Sequence, residues 1–393
     1  MPENPLPRRL MSARAGVLAA ALAVLLAGCT PSAPDPELAL RWTWRRHLAG
    51  AKMIDLDLSF NGRQVVVVAA AGAGADQPPV HLVIGLEDGK MANDWRLQGA
   101  SSLALDGAGE ALLVADAGGE MYLYADWRKS DPPRRIGRAA GAAALGPDRT
   151  SVLMRPAGSA RWVLKRSGGD TELAGAPAEG VARAWFPFLG MPDTVAFAVP
   201  GELRVFTGGA QRVAFPIQAP VHAAASGYAE GGVLAAVAGN PPRFQAFSLD
   251  AGKLGDWPMG GGIDRAHLAC SLTGALCAAI AEAGKGRVLR LFDTRAGERW
   301  RTALAHEGGG MPRVVVAAGG KVIIASERVA AGWRIRAWDG AGKALWQAPI
   351  AGPLVDFRAS WSGKRIAAVT EDGYIVYFDA DVIAPKKPEA GKS

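Results

Sequence analysis

The residue types best suited to covalent chemistry in this chain are its three cysteines, Cys29, Cys270 and Cys277. Cys29 stands alone behind an apolar run, so its thiol is open to modification but has no near partner. Cys270 and Cys277 flank Thr273-Gly274, a turn-forming pair that sets the two on facing strands of a hairpin. There they form either a disulfide, which an exported location permits and the Cβ separation must allow, or two small buried hydrophobes. Neither arrangement has the Cys-x-x-Cys spacing of a redox catalyst. Five histidines, His47, His81, His222, His267 and His306, lie at no metal-ligand spacing from one another, a cysteine or a carboxylate, and read as strand and surface residues. Asp55, Asp57 and Asp356 are the acids with most scope, since paired carboxylates hold metals or assist hydrolysis. There is no Gly-x-Ser-x-Gly elbow and no P-loop, and the glycine runs "MGGGID" and "EGGGMP" lack a following helix or Lys-Ser/Thr.

What delivers these residues is written at the start of the chain. Arg8, Arg9 and Arg14 precede an apolar run from Gly16 to Ala27. The run is shorter than the roughly 20 residues that cross a bilayer as a helix. A basic start, a short apolar centre and small residues predict an export signal. Its ending, Leu26-Ala27-Gly28-Cys29, resembles the lipobox of bacterial lipoproteins. The resemblance implies that residues 1–28 are a lipoprotein signal peptide and that Cys29 becomes the lipidated N-terminus; several acyl chains hold firmly where one holds weakly. A plain secretory signal with an incidental cysteine is the alternative. Thr30 stands where lipoproteins kept in the inner membrane often carry Asp, so the periplasmic face of a bacterial outer membrane is the expected location, with inner-membrane anchoring or surface exposure as alternatives. Residues 29–37, rich in Pro and small polar residues, predict a flexible tether, and 381–393 a disordered basic tail. Loss of residues 1–28 removes three Arg and one Glu, so the net charge falls from +7 to about +5. The basic residues are scattered and form no stripe interleaved with aromatics, which argues against a nucleic-acid partner.

The elements that must position the remaining residues are strands. The chain holds 50 Gly, 26 Pro and 12 Trp, and short apolar stretches recur between Gly, Pro, Asn and Asp turns without a long helical period; that is an all-β pattern. The stretches repeat. "LSFNGRQVVVVA", "LALDGAGEALLVA", "CSLTGALCAAIA" and "ASWSGKRIAAVT" each read as strand, glycine turn, apolar strand. First strands start near 53, 102, 142, 181, 221, 266, 312 and 354, at the ~40–50 residue spacing of propeller blades. The fold expected for 38–380 is an eight-bladed β-propeller of four-stranded blades, or a seven-bladed one if a weak unit is misparsed. The last unit ends at "YIVYFDAD" without a fourth strand. "LRWTWRRHLAG" matches "KALWQAPIAG", so the N-terminal strand is expected to complete the last blade and close the ring. Asp55, Asp57 and Asp356 then fall on first strands, near the central channel.

Third strands lead into turns that end in Trp95, Trp257, Trp300 and Trp346, and Trp44 holds the matching place in the closing strand. The phrase, as in "RLFDTRAGERW", resembles the repeats of quinoprotein-type (PQQ-like) propellers, and the hairpins read equally as WD40-like. It implies that these tryptophans pack between blades. Units three and four, 141–215, lack it. Quinoprotein dehydrogenases typically hold their cofactor with adjacent cysteines and a calcium-binding acidic cluster; this chain has no Cys-Cys pair, so the resemblance carries the fold and implies no cofactor. Signal, tether, closing strand and blade count together resemble the BamB-type subunit of the outer-membrane β-barrel assembly machine. That likeness implies a non-enzymatic scaffold, a monomer within a complex, with the membrane and one or more envelope proteins as partners. The alternatives are a quinoprotein-like or hydrolytic enzyme, or a ligand-binding propeller, with its site in the central channel, and an accessory lipoprotein of another envelope complex.

Overall fold

The computed structural model describes residues 38–39 and 42–380, apart from 72–79, 97–99, 117, 130, 142, 228–231, 261–262, 264, 284–285, 306 and 308–311. The expected signal peptide with Leu26, Ala27, Gly28 and Cys29, the expected tether and the expected tail after 380 lie outside the described residues.

Second strands show most plainly why this sequence folds as it does. In most half-buried strands apolar and polar residues alternate. Here "VVVVA" (65–69), "VAFA" (195–198), "LAAVA" (234–238) and "AAV" (367–369) are buried on both faces, with exposures of 1% or less. A strand buried on both faces must be covered by a sheet on each side. The many alanines let those sheets approach closely. Outer strands alternate or turn polar instead, as in Gly297–Leu304.

Eight antiparallel sheets result, each built from consecutive strands, over 51–96, 100–138, 144–172, 183–216, 221–258, 265–304, 314–350 and 354–379. Eight apolar clusters fill the seams, one between each blade and the next. One of them joins Leu56, Val67 and Ala69 of the first blade to Ala367, Val369 and Ile375 of the eighth. The eighth seam closes the ring, and with it the blade count. The fold is an eight-bladed β-propeller. Among the described residues the only helical turn is Ala318–Gly320, and no helix is long and apolar enough to cross a membrane.

The eighth blade has three strands of its own. Its fourth is Trp44–His47, antiparallel to Tyr374–Asp379 with Trp44 opposite Tyr377. Their rings stack at 4.9 Å, a contact worth about 1 kcal/mol beyond area burial. The sequence match located this closure. It did not reveal that Leu38–Ala39 also adds a parallel fifth strand to the outer edge of the seventh blade, opposite Trp346 and Gln347.

Candidate functional site: the axial cavity

Innermost strands carry the polar residues that face the axis. Four of these strands bulge in their first half, between Met53 and Asp55, Ala100 and Ser102, Val221 and Ala223, and Leu354 and Asp356. A bulge re-aims the side chain that follows it. Asp55 and Asp356 hold equivalent positions after the bulge, and Asp57 and Arg358 stand two residues further on.

These acids are occupied. Asp55 accepts the N–H of Leu56 at 2.9 Å and, across the seam, that of Leu103 at 3.0 Å. Asp57 repeats the pattern with Leu58 and Leu105, both at 2.9 Å. The two carboxylates therefore staple the first blade to the second. Asp356 accepts from Phe357 at 2.7 Å and pairs with Arg358 at 2.7 Å and Arg313 at 3.0 Å. Arg358 also reaches Asp57 at 3.6 Å. Burial pushes the Asp57 carboxyl above its usual range, against the pull of Arg358 and of the two backbone N–H groups. Among the described residues no group of three or more His, Cys, Asp or Glu is placed to hold a metal ion.

A cavity of about 610 Å³ opens beside them, lined by Asp57, Arg183, His267, Arg313 and Arg358 and by the inner-hairpin turns at Phe60, Gly107 and Pro147. A second of about 320 Å³ shares Phe60, Arg183, His267 and Arg358 and adds Leu272 and Trp361. Between them they draw on all eight blades, so they lie on the ring's axis. Backbone bonds lock the mouth: Phe60 N–H donates to Gly107 O at 2.8 Å, Trp361 to Phe60 at 2.8 Å and Ala318 to Trp361 at 2.7 Å. Phe60 and Trp361 meet edge to face at 4.8 Å and are both more than a third exposed.

His267 is the histidine that faces this cavity. Its Nδ1 accepts the N–H of Val314 at 3.3 Å, which leaves the proton on Nε2. Burial, then repulsion from Arg313, Arg183 and Arg358, lowers its pKa to about 4, so it is neutral at pH 7. The other described histidines serve the backbone or stack: His47 on Tyr374 at 4.3 Å, His81 against Ala100 O at 2.6 Å and His222 against Gly239 O at 3.2 Å. His306 lies outside the described residues.

The remaining predicted site residues are structural in placement. Cys270 and Cys277 face each other in register across their hairpin and form a disulfide with Cα atoms 4.0 Å apart. Trp44, Trp257 and Trp300 each reach the positive-φ glycine in the third-to-fourth-strand turn of the next blade, where an added Cβ would lie 2.9 Å from Trp44 at Gly89, 2.7 Å from Trp257 at Gly297 and 3.1 Å from Trp300 at Gly342. Trp346 is buried in the cluster between the seventh and eighth blades. The side chain of Trp95 is outside the described residues. Sequence reasoning missed Trp127, fully buried between the first two blades with its indole N–H on Gly109 O at 2.8 Å. It also missed the basic set, Arg183, Arg313 and Arg358. A partial signal existed: Arg183 and Arg313 fall at or just before the start of an inward strand, whereas Arg358 lies near the end of its own.

No protein-family model matches the sequence, and no curated protein sequence matches it significantly. Solved structures do. Sqt1 from Chaetomium thermophilum aligns with a TM-score of 0.63 at 13% identity, covering 87% of this chain and all (100%) of that one. BamB from Moraxella catarrhalis aligns with a TM-score of 0.56 at 14% identity, covering 87% of this chain and 98% of that one. A β-propeller fold similar to that of both proteins is thereby shown. Since 1157 solved chains match significantly, the likeness does not by itself select an activity.

Proposed function

We propose that this protein is a lipid-anchored envelope scaffold: Cys29 holds it to the periplasmic face of the outer membrane, and the propeller presents its loops and faces to a protein partner. One observation carries the scaffold reading. The channel acids that could have served hydrolysis or a metal are spent on staples between blades and on ion pairs with Arg313 and Arg358. Such bonds make a rigid ring, and a rigid ring positions loops well. The likeness to BamB, together with the signal and tether, favours a place in outer-membrane protein assembly. The test is in-cell crosslinking of the full chain followed by mass spectrometry. A dominant link to an outer-membrane assembly barrel is the expected result; links to a different envelope complex would remove that assignment while keeping the scaffold. Anchoring has its own test. Metabolic labelling with a fatty-acid probe should mark the unmutated protein and not Cys29→Ala, and equal labelling of the two, or labelling of neither, would remove the lipid anchor.

A further inference from the structure

The cations of the axial cavity are more exposed than its acids. Asp356 is 2% exposed beneath its two arginines, whereas the side chains of Arg313 and Arg358 remain 40% and 32% exposed. Arg183, on the opposite side of the ring, is exposed too, although it donates to Ala224 O. Asp57, 24% exposed, turns both carboxylate oxygens to backbone N–H groups. The surface a ligand meets is therefore dominated by guanidinium. Each guanidinium carries five N–H donors in a planar fork that suits carboxylate or phosphate oxygens. Arg313 spends one nitrogen on Asp356. His267 adds a neutral donor at Nε2; burial first, and then repulsion from the three arginines, keeps it neutral. At the mouth, Phe60 and Trp361 supply apolar surface for whatever carries the anion.

We propose that the axial cavity binds a small oxyanion, a carboxylate or phosphate group on a compact organic body, between Arg183, Arg313, Arg358 and His267. The volume of about 610 Å³ lies within the range of small-molecule sites. The site is independent of any protein partner and goes beyond the scaffold reading.

The test titrates the full chain with citrate and, separately, inorganic phosphate at low ionic strength, by calorimetry and tryptophan fluorescence. One saturable site for either anion is expected, and the anion that binds names the chemistry. Arg313→Gln should weaken it at least tenfold, while Arg45→Gln, on the outer strand of the eighth blade, leaves it unchanged. On the unmutated protein, phenylglyoxal labelling mapped by mass spectrometry should show Arg313 protected by the saturating anion. Absence of saturable binding for both anions overturns the proposal. So does equal weakening by Arg45→Gln, or binding that leaves Arg313 as reactive as before.

Discussion

The third and seventh blades do the same job with different material. The seventh has strands of 4, 8, 8 and 7 residues, and its third-to-fourth-strand turn, Asp339 to Gly342, receives Trp300 from the sixth blade. The third has strands of 2, 3, 3 and 2 residues and no such phrase. Two substitutes hold it. Phe197 of the fourth blade sits edge to face against Trp162 at 5.0 Å and Phe206 at 5.5 Å, so aromatic packing fills the seam that longer strands fill elsewhere. Side-chain bonds also take over from glycine at the inner turn. Gly62, Gly109, Gly274 and Gly363 supply positive φ in the first, second, sixth and eighth blades, but here Arg149 takes φ 65°. Asp148 clamps that turn, accepting from the N–H of Ser151 at 2.9 Å, the Ser151 hydroxyl at 2.6 Å and the Thr150 hydroxyl at 3.1 Å. A blade needs covered faces and a satisfied turn; the repeat phrase is one way to provide them.

The largest effect should come from removing the substitute seam. Phe197→Ala empties a fully buried site and should cost about 3–5 kcal/mol by denaturant unfolding, with amide exchange rising first in the third and fourth blades. The regular blades should break at their glycines. Gly297→Ala meets both a φ of +100° and the Trp257 ring, and should cost about 2–3 kcal/mol. Asp148→Ala should cost about 1–2 kcal/mol through its lost turn bonds. Burial pushes the Asp148 carboxyl up, but the bonds from Ser151 and Thr150 outweigh it and hold the pKa below 3.8. A lowered folded pKa stabilises above the unfolded value and is lost as pH falls through the folded one. The wild-type advantage over Asp148→Ala should therefore be full at pH 6 and shrink below about pH 3.8. Smallest of all, Gly158→Ala in the third blade has positive φ but open space around it, and should cost about 1 kcal/mol, the backbone penalty alone. Equal losses for Gly158→Ala and Gly297→Ala would remove the distinction between the two kinds of blade.

Much of the ring was legible because its signals are local. Asn-Gly and Asp-Gly turns fix hairpins within a few residues, and the likeness of 40–50 to 343–352 exposed the closing strand. The third and fourth blades were faint for the same reason: their cohesion lies in Trp162, Phe197 and Phe206, which meet only after folding. The channel was half legible. Asp55, Asp57 and Asp356 could be placed near the axis from the strand starts, but their bonds to Leu103 and Leu105 depend on the register between blades. Arg183, His267, Arg313 and Arg358 come from four separate units, so no single motif joins them, and only the place of Arg183 and Arg313 at strand starts hints at the set.

The closing strand also sets an order of events. His47 meets Asp372 across 325 residues of chain, so the ring cannot shut until nearly the last blade exists. By loop-closure statistics, joining ends that far apart costs about 5 kcal/mol, and contacts of such range form slowly. Until then every nascent or truncated chain is an open arc. One end shows the apolar face of the first blade, and the other the face of whichever blade was made last. Such arcs invite pairing with their own kind, so the clasp at Trp44–His47 acts as a completeness check: only a chain carrying both ends can hide both faces.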